Sequence, residues 1–214
     1  MPEILRRSPE VENERIVLGL LESVERDGAQ SQRKLAAELG IALGLVNAYL
    51  KRCATKGLVK ISGTPTRRYA YYLTPKGFAE KSRLTVHYLT SSFEFFRRAR
   101  GDCLDTFHTA RRRGWQRVAL LGVSDLAEIA TICAAETEMT IRAVVDAQAT
   151  VKTFVGIPVF GSLDDVRECD GVVVTDLREA HETLRAAVAE FGIERVLAPA
   201  LLGVRLRDVN EGAR

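Results

Sequence analysis

Residues 31–61 read SQRKLAAELGIALGLVNAYLKRCATKGLVKI, and this stretch decides the fold of the N-terminal part of the chain. Ser31 is a suitable N-cap and Gly40 a suitable stop, so the sequence predicts a short helix over residues 32–39. Beyond a tight turn, apolar residues three and four apart predict a second helix over residues 42–56. Its predicted core face consists of Leu43, Val46, Leu50 and Cys53.

Two further elements flank this helix-turn-helix. Residues 58–74, LVKISGTPTRRYAYYLT, predict two β-strands joined by a tight tip, because Tyr69, Tyr71 and Leu73 alternate along the second strand. Upstream, apolar residues on one helical face predict a helix over residues 12–27 that ends at Gly28. These apolar residues are Ile16, Val17, Leu20, Leu21 and Val24. We therefore predict a winged helix over residues 1–76.

The outward face of the second helix has the chemistry of a DNA-reading surface. Small residues let a helix approach base edges closely, Asn pairs bidentately with adenine, and Lys or Arg pairs with guanine or phosphate. Arginines at the hairpin tip can hold phosphates or enter the minor groove. Winged helices also serve as protein-interaction modules, but the basic wing favours DNA. The predicted DNA-binding residues are Ser31, Gly44, Asn47, Ala48, Lys51, Arg52, Thr55, Arg67 and Arg68.

Residues 31–61, followed by LTPKG at residues 73–77, resemble the MarR-type winged helix of bacterial repressors. The resemblance covers about a third of the chain. It implies that residues 47, 48, 51 and 52 touch bases or phosphates and that the wing carries Arg67 and Arg68. The chain departs from the pattern at Gly44 and Leu45, where small hydroxyl residues often stand.

Charge divides the chain into a basic and an acidic half. Residues 1–113 hold 21 Lys and Arg against 12 Asp and Glu, a balance of +9, and residues 114–214 hold 10 against 16, a balance of −6. Together they give the formal net charge of +3. A polyanionic partner is therefore expected for the first half only.

A long helix is predicted over residues 77–113, which contain no proline and one internal glycine. Within it, a stripe of residues alternately three and four apart predicts a helix–helix seam and a homodimer through residues 86–110. The alternative is that the stripe packs within its own chain. The stripe consists of Val86, Leu89, Phe93, Phe96, Arg100, Cys103, Phe107 and Ala110.

Residues 114–214 alternate between predicted strands and helices. Apolar runs predict strands at residues 118–121, 140–146, 170–177 and 195–197, with a helix after the first and another over residues 178–190. Such alternation favours a parallel sheet flanked by helices. The overall fold class is thus α/β, with a winged helix, a connecting helix and a Rossmann-like effector-binding domain over residues 114–214.

The turn after the first of these strands, G-V-S-D-L-A at residues 122–127, lies where a dinucleotide fingerprint would read GxGxxG. Asp146 follows Gly122 by 24 residues, near the distance of about 20 for a carboxylate that binds ribose. Ser124 and Asp125 weaken the match, so a full dinucleotide is disfavoured. The effector-binding residues predicted from this pattern are Gly122, Val123, Ser124, Asp125, Leu126 and Asp146.

The same half, including GIPVFGSLDDV at residues 156–166 and DGVVVTDL at residues 170–177, is similar to small Rossmann domains of nucleotide-sugar epimerase/dehydratases and sugar acyltransferases. The similarity implies a nucleotide or nucleotide-sugar effector near Gly122, Ser124, Asp125 and Asp146, and it adds Thr175 to the predicted effector-binding residues. The catalytic segments of those enzymes are missing, so we expect no enzyme activity.

Other features point to a cytoplasmic regulator without a metal. No apolar run is long enough for a signal sequence or a membrane span. The four cysteines are scattered singly, which favours buried thiols over metal or redox sites. We expect a ligand-responsive transcriptional regulator whose targets would include polysaccharide synthesis genes. The alternatives are a Rex-like repressor that senses NADH relative to NAD, and a nucleotide-sugar enzyme with a DNA-binding appendage.

Overall fold

The structure, a computed structural model, describes residues 9–63 and 69–204. It contains two compact units, one of which ends at Phe93 while the other begins at Glu94. The boundary between them falls inside one unbroken helix, which runs Pro75–Arg112. The long helix predicted over residues 77–113 is therefore present, and each unit contains part of it.

The first unit is a winged helix-turn-helix. Leu20 and Leu21 of the first helix, Leu35 of the second and Leu50 of the third are buried in one core. The two strands pair antiparallel, with Ile61 opposite Tyr71. In chain order the elements are α1 (Pro9–Arg26), α2 (Gln32–Leu39), α3 (Leu43–Thr55), β1 (Val59–Gly63), β2 (Tyr69–Leu73) and α4 (Pro75–Arg112).

One predicted core residue of α3 is exposed. Leu43 is 43% accessible, whereas Val46, Leu50 and Cys53 are buried as predicted. Leu43 is the first residue of the helix. Helical side chains tilt toward the N-terminus, so the side chain of a first residue projects past the helix end instead of covering the core. The prediction for Leu43 was wrong for this reason.

The LTPKG segment starts α4 and anchors it to the hairpin. The Thr74 hydroxyl accepts a hydrogen bond from the Gly77 N–H at 3.0 Å and donates to the Gly57 carbonyl at 2.6 Å. Pro75 occupies the first helical position, where its missing N–H costs nothing. A Cβ at Gly77 would lie 2.1 Å from the Leu58 carbonyl oxygen, so only glycine allows this approach.

The second unit contains a mostly parallel, six-stranded sheet. Its strand order is β5-β6-β4-β3-β7-β8, and only the pairing of β5 with β6 is antiparallel. Helix α5 packs against β4, and α6 packs against β7 and β8. The elements are β3 (Arg117–Leu121), α5 (Asp125–Glu136), β4 (Thr140–Val145), β5 (Thr153–Phe154), β6 (Ile157–Phe160), β7 (Gly171–Val174), α6 (Ala180–Phe191) and β8 (Val196–Leu197).

This sheet confirms the predicted parallel strands and adds a hairpin that was not predicted. The chain enters at β3, moves outward through β4 and β6, and then crosses to β7 and β8 on the other side of β3. The direction of progression therefore reverses between β3 and β7. In open parallel sheets, ligands bind outside the carboxyl ends of the strands at such a reversal.

The C-terminal part of the apolar stripe of α4 is buried, and the N-terminal part is exposed. Cys103, Phe107 and Ala110 are buried in the core of the second unit, so the predicted seam over residues 86–110 is wrong for its C-terminal part. The same spacing suits a helix packed within its own chain. Arg100 forms an ion pair with Glu136 at 2.6 Å, and the helix continues through the adjacent glycine.

The N-terminal part of the stripe is exposed. Residues 86–94 are exposed at every position around the helix. Val86 is 64% accessible, Leu89 47% and Phe93 59%, and Phe96 just beyond is 38% accessible. Among the described residues, no helix is long and apolar enough to cross a membrane.

Candidate nucleic-acid interface and effector site

The outward face of α3 is free of intramolecular packing at most of the predicted DNA-binding positions. Gly44, Asn47, Ala48, Lys51 and Thr55 are all exposed, on the side opposite the buried Val46, Leu50 and Cys53. Among the described residues, no atom beyond its chain neighbours and the surrounding backbone of α3 lies within 4 Å of a Cβ placed on Gly44. Helix α3 therefore presents small side chains, one amide and one ammonium group to solvent.

Arg52 is exposed but held toward α1. Its guanidinium donates to Asn13 Oδ1 at 3.1 Å and lies 5.3 Å from the centre of the Tyr49 ring. To touch DNA, Arg52 would have to leave both partners. Lys51 is therefore the stronger candidate for a phosphate or base contact on this helix.

The N-termini of α2 and α3 differ in capping. The Ser31 hydroxyl accepts the Lys34 N–H at 3.2 Å, which confirms Ser31 as the N-cap of α2. The N-cap residue of α3, Ala42, offers no side-chain hydrogen bond. The first N–H groups of α3 thus have no side-chain cap.

The tip of the wing lies outside the described residues. Arg67 and Arg68, the predicted wing contacts, fall in the range 64–68, which the structure does not describe. On the flanking strands, Lys60, Tyr69 and Tyr72 are exposed. The described part of the hairpin therefore offers one lysine and two tyrosines beside the tip.

Comparison with protein families supports this geometry. Residues 14–60 match a family described as winged helix-turn-helix DNA-binding. The match runs from α1 to the start of β1, and it includes the whole of α2 and α3. A search of curated proteins finds no match to the chain. The N-terminal unit is therefore a winged helix-turn-helix, and residues 14–60 of it are similar to a DNA-binding family.

The second predicted site brings together five of its residues at the carboxyl ends of β3, β4 and β7, namely Gly122, Val123, Ser124, Asp146 and Thr175. The Ser124 hydroxyl caps α5 by accepting the Ala127 N–H at 3.1 Å, and it donates to the Thr175 carbonyl at 2.6 Å. The buried Thr175 hydroxyl donates to the Gly122 carbonyl at 2.8 Å. These polar groups are thus used in joining the ends of β3 and β7.

Gly122 is required by this junction. Its φ is +106°, a region that L side chains rarely adopt, and a Cβ there would lie 2.6 Å from Asp176 Cα. Close packing of two strand ends therefore explains the glycine without a ligand. Leu126 is also fully buried, so it presents no surface to an effector.

Asp146 connects the site to a residue that the sequence did not point to. Its Oδ2 accepts the Val123 N–H at 3.0 Å and the Arg178 guanidinium at 2.7 Å, while its Oδ1 accepts the Gln148 N–H at 2.9 Å. Arg178 also lies 3.7 Å from Asp176. Burial alone would raise the pKa of Asp146, but the two N–H groups and the guanidinium together lower it.

Replacing Asp146 with Asn is expected to lower the free energy of unfolding by about 1–3 kcal/mol at pH 7, because a charge-assisted pair is lost. Since the folded pKa of Asp146 lies below its ordinary value of 3.8, the carboxylate stabilises the fold above that value and loses its effect as pH falls. The difference between the two proteins should therefore shrink toward pH 3.

Urea unfolding followed by the fluorescence of Trp115, the single tryptophan, measures this difference. The exposed Asp165→Asn in the same unit is the matched control and should leave stability unchanged. An equal loss for Asp146→Asn at pH 7 and pH 3 would contradict the assignment of the effect to charge.

The cysteines are buried thiols. Burial raises the pKa of all four, to about 12 for Cys103. We expect Ellman's reagent to label the folded protein no faster than it unfolds, and to label four thiols in urea. Rapid labelling of any thiol in the folded protein would show that this description is wrong. Within residues 9–63 and 69–204, no cluster of three metal-ligating side chains occurs.

Proposed function

We propose that the chain is a dimeric, ligand-responsive transcriptional regulator of the MarR type. The observation that carries the proposal is the winged helix-turn-helix, in which α3 presents Asn47, Ala48 and Lys51 to solvent. A helix with this face fits the major groove, and a dimer places two such helices on one two-fold symmetric site. The regulated genes would include those of polysaccharide synthesis.

The proposed homodimer uses the exposed part of the α4 stripe. Val86, Leu89, Phe93 and Phe96 continue the three-and-four spacing of a helix–helix seam and lack cover in the single chain. A solvated helix would carry polar residues at these positions. The proposed interface therefore runs from residue 86 to residue 96, and the buried residues from Cys103 onward take no part in it.

The proposed effector domain is the second unit. Its parallel strands lie across the sheet in the order β6-β4-β3-β7-β8. The first of them in the chain, β3, thus lies in the middle, and this order supports a Rossmann-like arrangement. The proposed effector is a nucleotide or nucleotide-sugar at the reversal between β3 and β7. Arg178 is half-exposed there and would pair with phosphate, while Asp146 would accept hydroxyl groups.

DNA binding is tested by fluorescence anisotropy on the DNA upstream of the protein's own gene. Lys51→Glu should weaken binding roughly tenfold or more and reduce the salt dependence, because a cation near phosphates becomes an anion. Lys152→Glu makes the same change of charge at an exposed position of the second unit and should bind normally. Absence of specific binding by the unaltered protein would refute the proposal.

Effector binding is tested by thermal unfolding with uridine nucleotides, nucleotide-sugars and NADH. A ligand that binds the folded protein raises the unfolding midpoint, and the shift grows with the logarithm of ligand concentration once that exceeds the Kd. We expect nucleotide-sugars to raise the unfolding midpoint. A response to NADH alone would favour the Rex-like alternative, and turnover of a nucleotide-sugar would favour the enzyme.

A further inference from the structure

Two hydrogen bonds from one side chain join three elements of the winged helix at the edge of the outward face of α3. Gln32, the first residue of α2, points its amide nitrogen at the Tyr71 hydroxyl, 2.9 Å away, and at Asn47 Oδ1, 3.4 Å away. Tyr71 is 2% accessible, so its ring is fixed in the core. Gln32 therefore connects a buried anchor on β2 with an exposed amide on α3.

The chemistry of the two amides defines how Asn47 is oriented. An amide NH₂ has two donor hydrogens, and Gln32 can give one to Tyr71 and one to Asn47. Asn47 then keeps its Oδ1 toward Gln32, and its Nδ2 faces away. The Oδ1 retains a second lone pair, so Asn47 still has one acceptor and two donors for DNA.

We propose that Gln32 is a positioning residue that holds Asn47 ready to read an adenine in the major groove. In this arrangement Asn47 Nδ2 donates to adenine N7, and Oδ1 accepts from adenine N6. Leu45 and Ala48, both exposed on the same helix, supply apolar surface for the methyl group of the paired thymine. The inference rests on the proposed DNA binding and adds the base pair that is read.

A purely structural role for Gln32 makes a different prediction. If Gln32 only ties α2 to β2, its loss lowers stability and weakens binding to all sequences alike. If Gln32 orients Asn47, its loss lowers the preference for one base pair over the other three. The base preference at a single position therefore separates the two roles.

The experiment selects the preferred site of the full chain from a randomised duplex library and then measures Kd for all four base pairs at each position. We expect the unaltered protein to prefer A·T at one position by roughly 5- to 100-fold. Asn47→Ala should abolish this preference, and Gln32→Leu should reduce it severalfold. Tyr71→Phe, which removes only a hydroxyl, should reduce it as well and serves if Gln32→Leu does not fold.

Three results would overturn the inference. Unchanged base preference in Asn47→Ala would show that Asn47 does not read a base. Uniformly weaker binding in Gln32→Leu and Tyr71→Phe, with the preference intact, would make Gln32 structural, and the proposed DNA binding would stand in both of these cases. Absence of any specific site for the unaltered chain would overturn both proposals.

Discussion

Replacing Leu89 and Phe93 together with glutamate is expected to convert the proposed dimer into a monomer and to weaken its binding to a two-fold symmetric DNA site by about 100-fold or more. Both side chains are about half exposed in the single chain, so the change leaves its two cores intact. Within a dimer, four glutamates would face each other across an apolar seam. Two separate monomers would then bind the two half-sites independently. Joining two DNA-binding units in a dimer raises affinity by roughly 10²–10⁴, and this gain would be lost.

Light scattering after size exclusion gives the mass, and anisotropy gives the affinity for DNA. The control is Tyr88→Glu with Ser91→Glu, which adds the same negative charge to the same exposed segment of α4, away from the stripe. This control should remain dimeric. If the Leu89 and Phe93 variant keeps the mass of a dimer, residues 86–96 are not the interface.

Replacing Gly122 with alanine is expected to lower the free energy of unfolding of the second unit by about 3 kcal/mol or more. An L residue at a φ of +106° is strained, and its Cβ would overlap the Asp176 backbone, so the ends of β3 and β7 would have to separate. Trp115, buried against Gly171 in the same unit, reports the unfolding by its fluorescence.

Gly161→Ala is the matched control for this experiment. Gly161 lies in the same unit, and in the part of the chain that the structure describes no atom beyond its two chain neighbours lies within 4 Å of a Cβ placed there. Its replacement should change stability by less than about 0.5 kcal/mol. Equal stability of the Gly122 and Gly161 variants would mean that the junction between β3 and β7 is looser than the structure shows.

Local signals in the sequence predicted much of the fold. Helix α2 has the predicted bounds because Ser31 and Gly40 flank it as cap and stop. Strands β3, β4 and β7 follow from continuous apolar runs, which are typical of parallel strands covered by helices. The β5–β6 hairpin was missed because its turn is Val155–Gly156, and Val155 has a φ of +49°, where Asn or Asp is expected.

The sites were less predictable because they depend on contacts between distant residues. Gln32 and Tyr71 are 39 residues apart, and Arg178 and Asp146 are 32 apart. No local sequence pattern predicts either of these hydrogen-bonded pairs. The α4 stripe shows the same limit, because a spacing of three and four identifies an apolar face but not what covers it. Phe107 is covered within its own chain, whereas Phe93 is not.

The uncovered stretch of α4 would also make the proposed regulation depend on the concentration of the protein in the cell. With the proposed dimer, newly made chains would expose Val86, Leu89 and Phe93 until they meet a second copy, so the fraction of chains in dimers would depend on concentration. Below the dissociation constant of the dimer, occupancy of a two-fold site rises with the square of the chain concentration. A modest change in the synthesis or degradation of the protein would then change the occupancy of its DNA site by a larger factor than the change in concentration.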